Sequence, residues 1–200
     1  MKYINKCSVF ALLLAFLMLI GIAYAAWSET LLINGTINTG ALDWVFTNVG
    51  HWDPPGTLDH NGEQTDQGII TWWADKDVGY TEAEIVDPHT INVTIHNAYP
   101  GYANDISAHI HVNGTIPLIF TKVIINGVEV TEDGTVVELD LNGDGLNDTK
   151  IWIGDSIGKQ LHPCNSFEFS FIILVLQDAP QGAELSFTMT LVGVQYNMVD

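Results

Sequence analysis

Beyond its first 25 residues the chain alternates apolar and polar positions with a period of two, and its patterned stretches are rich in Val, Ile, Thr and aromatic side chains. No stretch keeps a helical period over three turns. The pattern predicts strands over 27–38, 42–46, 69–73, 90–96, 105–112, 118–125, 128–130, 135–140, 150–153, 167–176 and 185–196. Short strands separated by Gly, Pro, Asn and Asp turns fit an all-β fold over residues 39–200, a two-sheet β-sandwich or a jelly roll. Within it, Ile125-Asn126-Gly127-Val128 carries the Asn-Gly pair of a two-residue hairpin, whose left-handed backbone suits those residues. Residues 47–68, with Pro54-Pro55-Gly56 and several acids, have no strand pattern and are expected to form a long surface loop. From Ile172 to Leu176 both faces are apolar, as expected of a strand running through the centre of a sandwich.

The N-terminus differs from the rest. Lys2 and Lys6 precede an apolar run from Val9 to Ile22, and Ala23-Tyr24-Ala25 follows with the small-x-small pattern of a signal-peptidase site. Residues 1–25 are therefore expected to be a signal peptide cleaved after Ala25. The competing reading is an uncleaved anchor, because the run extends toward the lower limit of a membrane span when counted through Trp27. After cleavage the chain is expected to be secreted, with no stable membrane insertion.

The first mature strand, 26–38, is two-faced. Trp27, Leu31, Ile33 and Ile37 share one side with Glu29 and Gly35, while Ser28, Thr30, Asn34, Thr36 and Asn38 share the other with Leu32. Burying the four large side chains would contribute about 6 to 12 kcal/mol gross. The alternation does not decide whose sheet the strand joins, its own or another chain's. Its free end at the cleavage site and the Asn38-Thr39-Gly40 hinge leave it able to swing.

Charge and cysteine content narrow the classes. The mature chain keeps four lysines and no arginine against 24 acids, a net charge of −20, which disfavours nucleic acid and anionic membrane surfaces as partners. Copies of such a chain repel one another, so self-assembly needs apolar burial, backbone pairing or cations. Cys7 leaves with the signal, and Cys164 alone cannot form an internal disulfide; beside Pro163 it is expected to be a buried or loop thiol.

The most specific chemical motif is Asp140-Leu141-Asn142-Gly143-Asp144-Gly145-Leu146-Asn147-Asp148. Side-chain oxygens at loop positions 1, 3, 5 and 9 and a carbonyl at 7 suit calcium, and Gly at 6 permits the turn. The expected ligands are Asp140, Asn142, Asp144, the Leu146 carbonyl and Asp148. Position 12 holds Ile151 where a bidentate Glu would complete an EF-hand, so a plain polar hairpin is the alternative. Asn34, Asn92, Asn113 and Asn147 each begin an N-glycosylation sequon.

No organic cofactor and no catalytic residue is expected. There is no His-Glu-x-x-His, and His109 and His111 lie on one strand face opposite Ile106, Ala108, Ile110 and Val112, so they are expected to face solvent. A monomeric secreted binding module remains a rival reading, with Trp52, Trp72, Trp73 and Tyr80 offered to carbohydrate or another surface ligand.

Trp27 through Phe46, with its Asn-Gly-Thr-Ile-Asn-Thr-Gly-x-Leu core, resembles the start of the TasA/camelysin-like family of exported fibre proteins, above all its archaeal bundling-pilus subunits. The likeness continues in Asn97-Ala98-Tyr99-Pro100-Gly101-Tyr102, in Asn113-Gly114-Thr115-Ile116-Pro117 and in Ala179-Pro180-Gln181-Gly182-Ala183-Glu184. Archaeal cannula-forming proteins are similar in plan. The resemblance implies a structural, non-enzymatic filament subunit at the cell surface, partnered by copies of itself and by neighbouring filaments in bundles. It also implies a single jelly-roll-like β-sandwich and donor-strand complementation, in which Trp27, Leu31, Ile33 and Ile37 of one copy fill a groove in the next.

Overall fold

The computed structural model describes residues 9–17 and 39–198, which belong to two units, Met1–Thr39 and Gly40–Asp200. In the first unit residues 9–17 are α-helical, and no described helix is long and apolar enough to cross a membrane. The cleavage site, the strand 26–38 with Trp27, Leu31, Ile33 and Ile37, and the sequon at Asn34 lie outside the described residues.

The second unit is built from β1 (Val45–His51), β2 (His60–Thr65), β3 (Gly68–Trp73), β4 (Tyr80–Asp87), β5 (Thr90–His96), β6 (Ala103–His111), β7 (Leu118–Ile125), β8 (Val128–Val130), β9 (Val136–Leu139), β10 (Thr149–Ile153), β11 (Gln160–Leu161), β12 (Ser166–Val175) and β13 (Leu185–Gln195). One antiparallel sheet runs β1-β6-β12-β10-β9, and a second runs β11-β7-β13-β5-β4 with β8 also on β7. Inward side chains follow the period of two: Ile91, Val93 and Ile95 of β5, and Ile106, Ala108 and Ile110 of β6, are fully buried between the sheets. Phe120 and Phe187 of the second sheet meet Phe169 and Phe171 of the first, with ring centroids 5.7 to 6.4 Å apart. This is an all-β sandwich, as the alternation predicts.

Hairpin β2-β3 forms a third layer on the outer face of the first sheet. Ile69 is buried there with Ala103 and Leu174, beside Trp152 and Ile172. Lys150 Nζ donates to Gln64 Oε1 at 2.6 Å, which fastens the hairpin further. Strand β12 is therefore apolar on both faces for a different reason from the one expected: Ile173 and Val175 face the sandwich core, and Leu174 faces the hairpin.

The expected loop over 47–68 is also corrected. Thr47 to His51 extend β1 along β6, and His60–Thr65 pair with β3. Their polar and glycine content hides them from an apolar period, because ladder bonds to a neighbour hold them rather than two-sided burial. Strand β4 escapes the pattern because Glu82, Glu84 and Asp87 dominate it, although Thr81 is fully buried.

Candidate functional site

Each sheet ends in an open strand on the same side of the sandwich, β1 in the first and β4 in the second. The Trp52 N–H donates toward β6, to Asp105 O at 3.2 Å, and backbone direction alternates along a strand. The N–H and C=O groups of Val49, His51 and Asp53 therefore face away from β6. On β4 the Thr81 N–H points away from β5, and so do the backbone groups of Ala83.

The two outward edges meet at two points. Phe46 N–H donates to Pro88 O at 2.8 Å, and Thr81 N–H donates to Asp53 O at 3.1 Å. These bonds share one antiparallel register, yet among the described residues no ladder joins β1 to β4 between them. A bulge in each strand, between Phe46 and Asn48 and between Ile85 and Asp87, bends the edges near one end. At the other end is an open cleft of about 410 Å³ lined by His51, Pro55, Glu82, Ala83, Glu84, Asn92 and Thr94. Val49 and Ala83 are half-buried against the core, and the buried His51 Nδ1 has no partner among the described residues.

Asp53 fixes that end. Its side chain is fully buried, accepting from Tyr102 Oη at 2.7 Å and Thr57 Oγ1 at 2.8 Å, while Thr81 Oγ1 lies 2.8 Å from the same phenol. Burial pushes the Asp53 carboxyl above its ordinary range, against the lowering effect of these two hydrogen bonds. Asp59, also fully buried, accepts from Val78 N–H at 3.0 and 3.1 Å and holds the 74–79 loop.

The loop over 140–148 closes on itself. Asp140 accepts from Gly143 N–H at 2.6 Å and Gly145 N–H at 2.8 Å, Asn142 Oδ1 from Asp144 N–H at 2.8 Å, and Asp144 Oδ1 from Leu146 N–H at 2.8 Å. Asp148 is fully buried and turns inward, taking the N–H groups of Leu141 and Asn142 at 2.7 and 2.9 Å. Asp148 thus organises the loop while Asp140, Asn142, Asp144 and Leu146 are exposed. Among the described residues no three His, Cys, Asp or Glu side chains are gathered as a metal cage.

The described sequons differ in access. Asn113 is exposed in a turn, Asn92 is half-buried on β5 and accepts from Ser186 Oγ at 3.2 Å, and Asn147 is exposed but donates to Glu138 at 2.7 Å. His109 is exposed and His111 half-buried, opposite the buried Ile106, Ala108, Ile110 and Val112. Cys164 is an exposed loop thiol.

The four aromatic residues of the rival reading separate. Tyr80 stacks on His96, with centroids 4.4 Å apart, whereas Trp52 and Trp73 both lie against His60, at 5.6 and 4.0 Å. His60 itself carries no pattern that would single it out in the sequence; its register opposite Trp73 places it there.

Compared with family models, curated proteins and solved structures, the chain matches none.

Proposed function

We propose that this chain is the structural subunit of an extracellular filament, in which the strand 26–38 of one copy lies between the β1 and β4 edges of the next. The observation that carries the reading is the pair of open sheet edges, bridged at Phe46–Pro88 and Asp53–Thr81 and unbridged between. Strands that flank another stand about 9.5 Å apart, so insertion parts these two bonds, and the strand then meets the outward backbone groups of Val49 and His51 on one side and Ala83 on the other. Each added ladder hydrogen bond contributes about 1 kcal/mol net. Apolar side chains from one face of the strand would cover Val49 and Ala83, adding burial to pairing.

Open edges of this kind invite uncontrolled pairing, and charged residues on an edge strand limit it. Glu82 and Glu84 flank the cleft. The apolar face of Trp27, Leu31, Ile33 and Ile37 answers this guard with burial and also offsets repulsion between copies of net charge −20. The family resemblance noted above points the same way. In this reading calcium binds the exposed oxygens of the 140–148 loop and glycans on accessible sequons such as Asn113 face outward.

Deletion of residues 26–37 tests the proposal. The truncated mature protein is expected to remain a β-sandwich by circular dichroism and to sediment as a monomer, and a peptide of residues 26–38 is expected to raise its melting temperature. Filaments that form unchanged without the segment would rule out strand donation.

A further inference from the structure

We propose, resting on the filament reading, that Glu29 of the inserted strand pairs with His51 of the copy that receives it. The pair fixes the register of the strand and its direction, antiparallel to β1. Glu29 is the only charged side chain in the segment 26–38, and it stands on the segment's apolar side between Trp27 and Leu31. A carboxylate carried into a groove among apolar neighbours needs a hydrogen-bonding partner there, because an unpaired charge taken out of water is costly.

The β1 wall offers one such partner. Val49, His51 and Asp53 alternate onto its core side: Val49 packs against the core, the β6 partner of His51 is the fully buried Ile106, and Asp53 is itself fully buried. Counting inward from the Asp53–Thr81 bond sets His51 level with Ala83, which also packs against the core. Val49 is apolar and Asp53 is a second acid, so His51 is the position on this wall that can receive Glu29. His51 is half-buried and lines the open cleft; its Nδ1 is enclosed, so the contact is made by the cleft-facing side of the ring. An imidazole N–H donates to a carboxylate whether the ring is neutral or charged.

With Glu29 at His51 and the strand antiparallel to β1, Leu31 comes to Val49 and Ile33, past the bulge between Phe46 and Asn48, comes to Phe46. Gly35 comes to Trp44, which is 6% exposed and already packs on Phe46 and His89, so the one missing side chain meets the fullest part of the wall. On the other face Ser28 and Thr30 come level with Glu82 and Glu84, whose exposed carboxylates can accept from the two hydroxyls. The opposite direction, with Glu29 kept at His51, sets Leu31 against Asp53 and carries Ile33 and Ile37 past the end of β1. A shift of two residues sets Glu29 against Val49 or Asp53, and a shift of one turns the apolar side outward.

The test uses the full mature chain with Cys164→Ser, so that its exposed thiol takes no part. Chains carrying one added cysteine each are mixed in pairs, assembled and oxidised, and disulfides between copies are read by non-reducing electrophoresis and mass spectrometry. Glu29→Cys with His51→Cys and Leu31→Cys with Val49→Cys are expected to link, because opposed residues of paired strands stand within disulfide reach. Trp27→Cys with Val49→Cys, the pair that a reversed strand would bring together, is expected not to. In a second measurement Glu29→Lys is expected to raise the critical concentration for assembly about tenfold or more, and adding His51→Glu to restore it to within about threefold of the parent. Circular dichroism confirms that each variant is folded, and where a cysteine blocks assembly the charge exchange decides. Filaments that link through Trp27→Cys and Val49→Cys, or through neither expected pair, overturn the register and leave strand donation standing, as does a charge exchange that restores nothing. Filaments that form unchanged without residues 26–37 remove the filament reading itself, and the register with it.

Discussion

Asp53 shows how one residue ties the core to the open edges. Its carbonyl takes the Thr81 N–H that closes one end of the groove, and its buried carboxylate takes Tyr102 and Thr57. A carboxyl whose folded pKa is raised binds its proton more tightly folded than unfolded. Its contribution to stability is therefore present below its ordinary value, near 3.8, and is lost as pH rises through the folded value. His60, whose pKa burial lowers, acts in the opposite sense, and stability falls as pH drops through the ordinary histidine range. Asp53→Asn keeps an acceptor for Tyr102 and removes the buried charge. Its urea midpoint relative to the parent is expected to improve from pH 4 to pH 7; a relative midpoint that worsens over that range would contradict the assignment. The charge removed also supports His60 protonation, so both effects run in the same direction.

At the scale of elements, two devices can be tested separately. Hairpin β2-β3 is seated through Gly68, whose φ is +122°, and a Cβ there would stand 2.5 Å from the Trp152 ring. Gly68→Ala is expected to loosen the hairpin by about 1 to 3 kcal/mol, the usual cost of overpacking. Hydrogen exchange should quicken in β2 and β3 while β6 and β12 keep their protection. On β4, Ala83→Pro removes an N–H that faces the groove and none that faces β5, a placement an edge strand tolerates. The variant is expected to fold and to polymerise poorly by electron microscopy and light scattering, whereas undiminished filaments would move strand addition away from β4. Strands β2 and β4 were poorly legible in the sequence. Strand β2 is His-Asn-Gly-Glu-Gln-Thr, and β4 shows an edge strand's charges before its buried Thr81. Strands held by a neighbour's ladder need no apolar signature of their own.

Over the whole molecule, charge opposes the proposed assembly. In the proposed filament, copies carrying −20 after signal cleavage would concentrate their acids, and a divalent ion on the 140–148 loop would relieve part of that field. Each ionised carboxylate has about four lone-pair sites, so the two backbone bonds to Asp140 leave it able to bind a cation. Calcium at millimolar concentration is expected to raise the melting temperature and speed filament growth. Asp140→Ala with Asp144→Ala should abolish both effects; uptake that survives the double change would remove calcium from this loop.

Period-two alternation by itself determined that this is an all-β sandwich and located β3, β5, β7, β8 and β13 closely, because a strand buried on one face must repeat its apolar residues every second position. The same local logic picked out the 140–148 turn and the two-faced segment 26–38. Only the tertiary structure decided what covers what. Leu174 is apolar because a third layer lies on it, Asp148 turns inward to take the backbone N–H groups of the loop, and Trp52 and Trp73 both pack on His60 because the β2-β3 register sets His60 opposite Trp73. The groove between β1 and β4 is likewise a relation between strands far apart in the chain. Long-range pairing fixes such relations, and no window of neighbouring residues contains them.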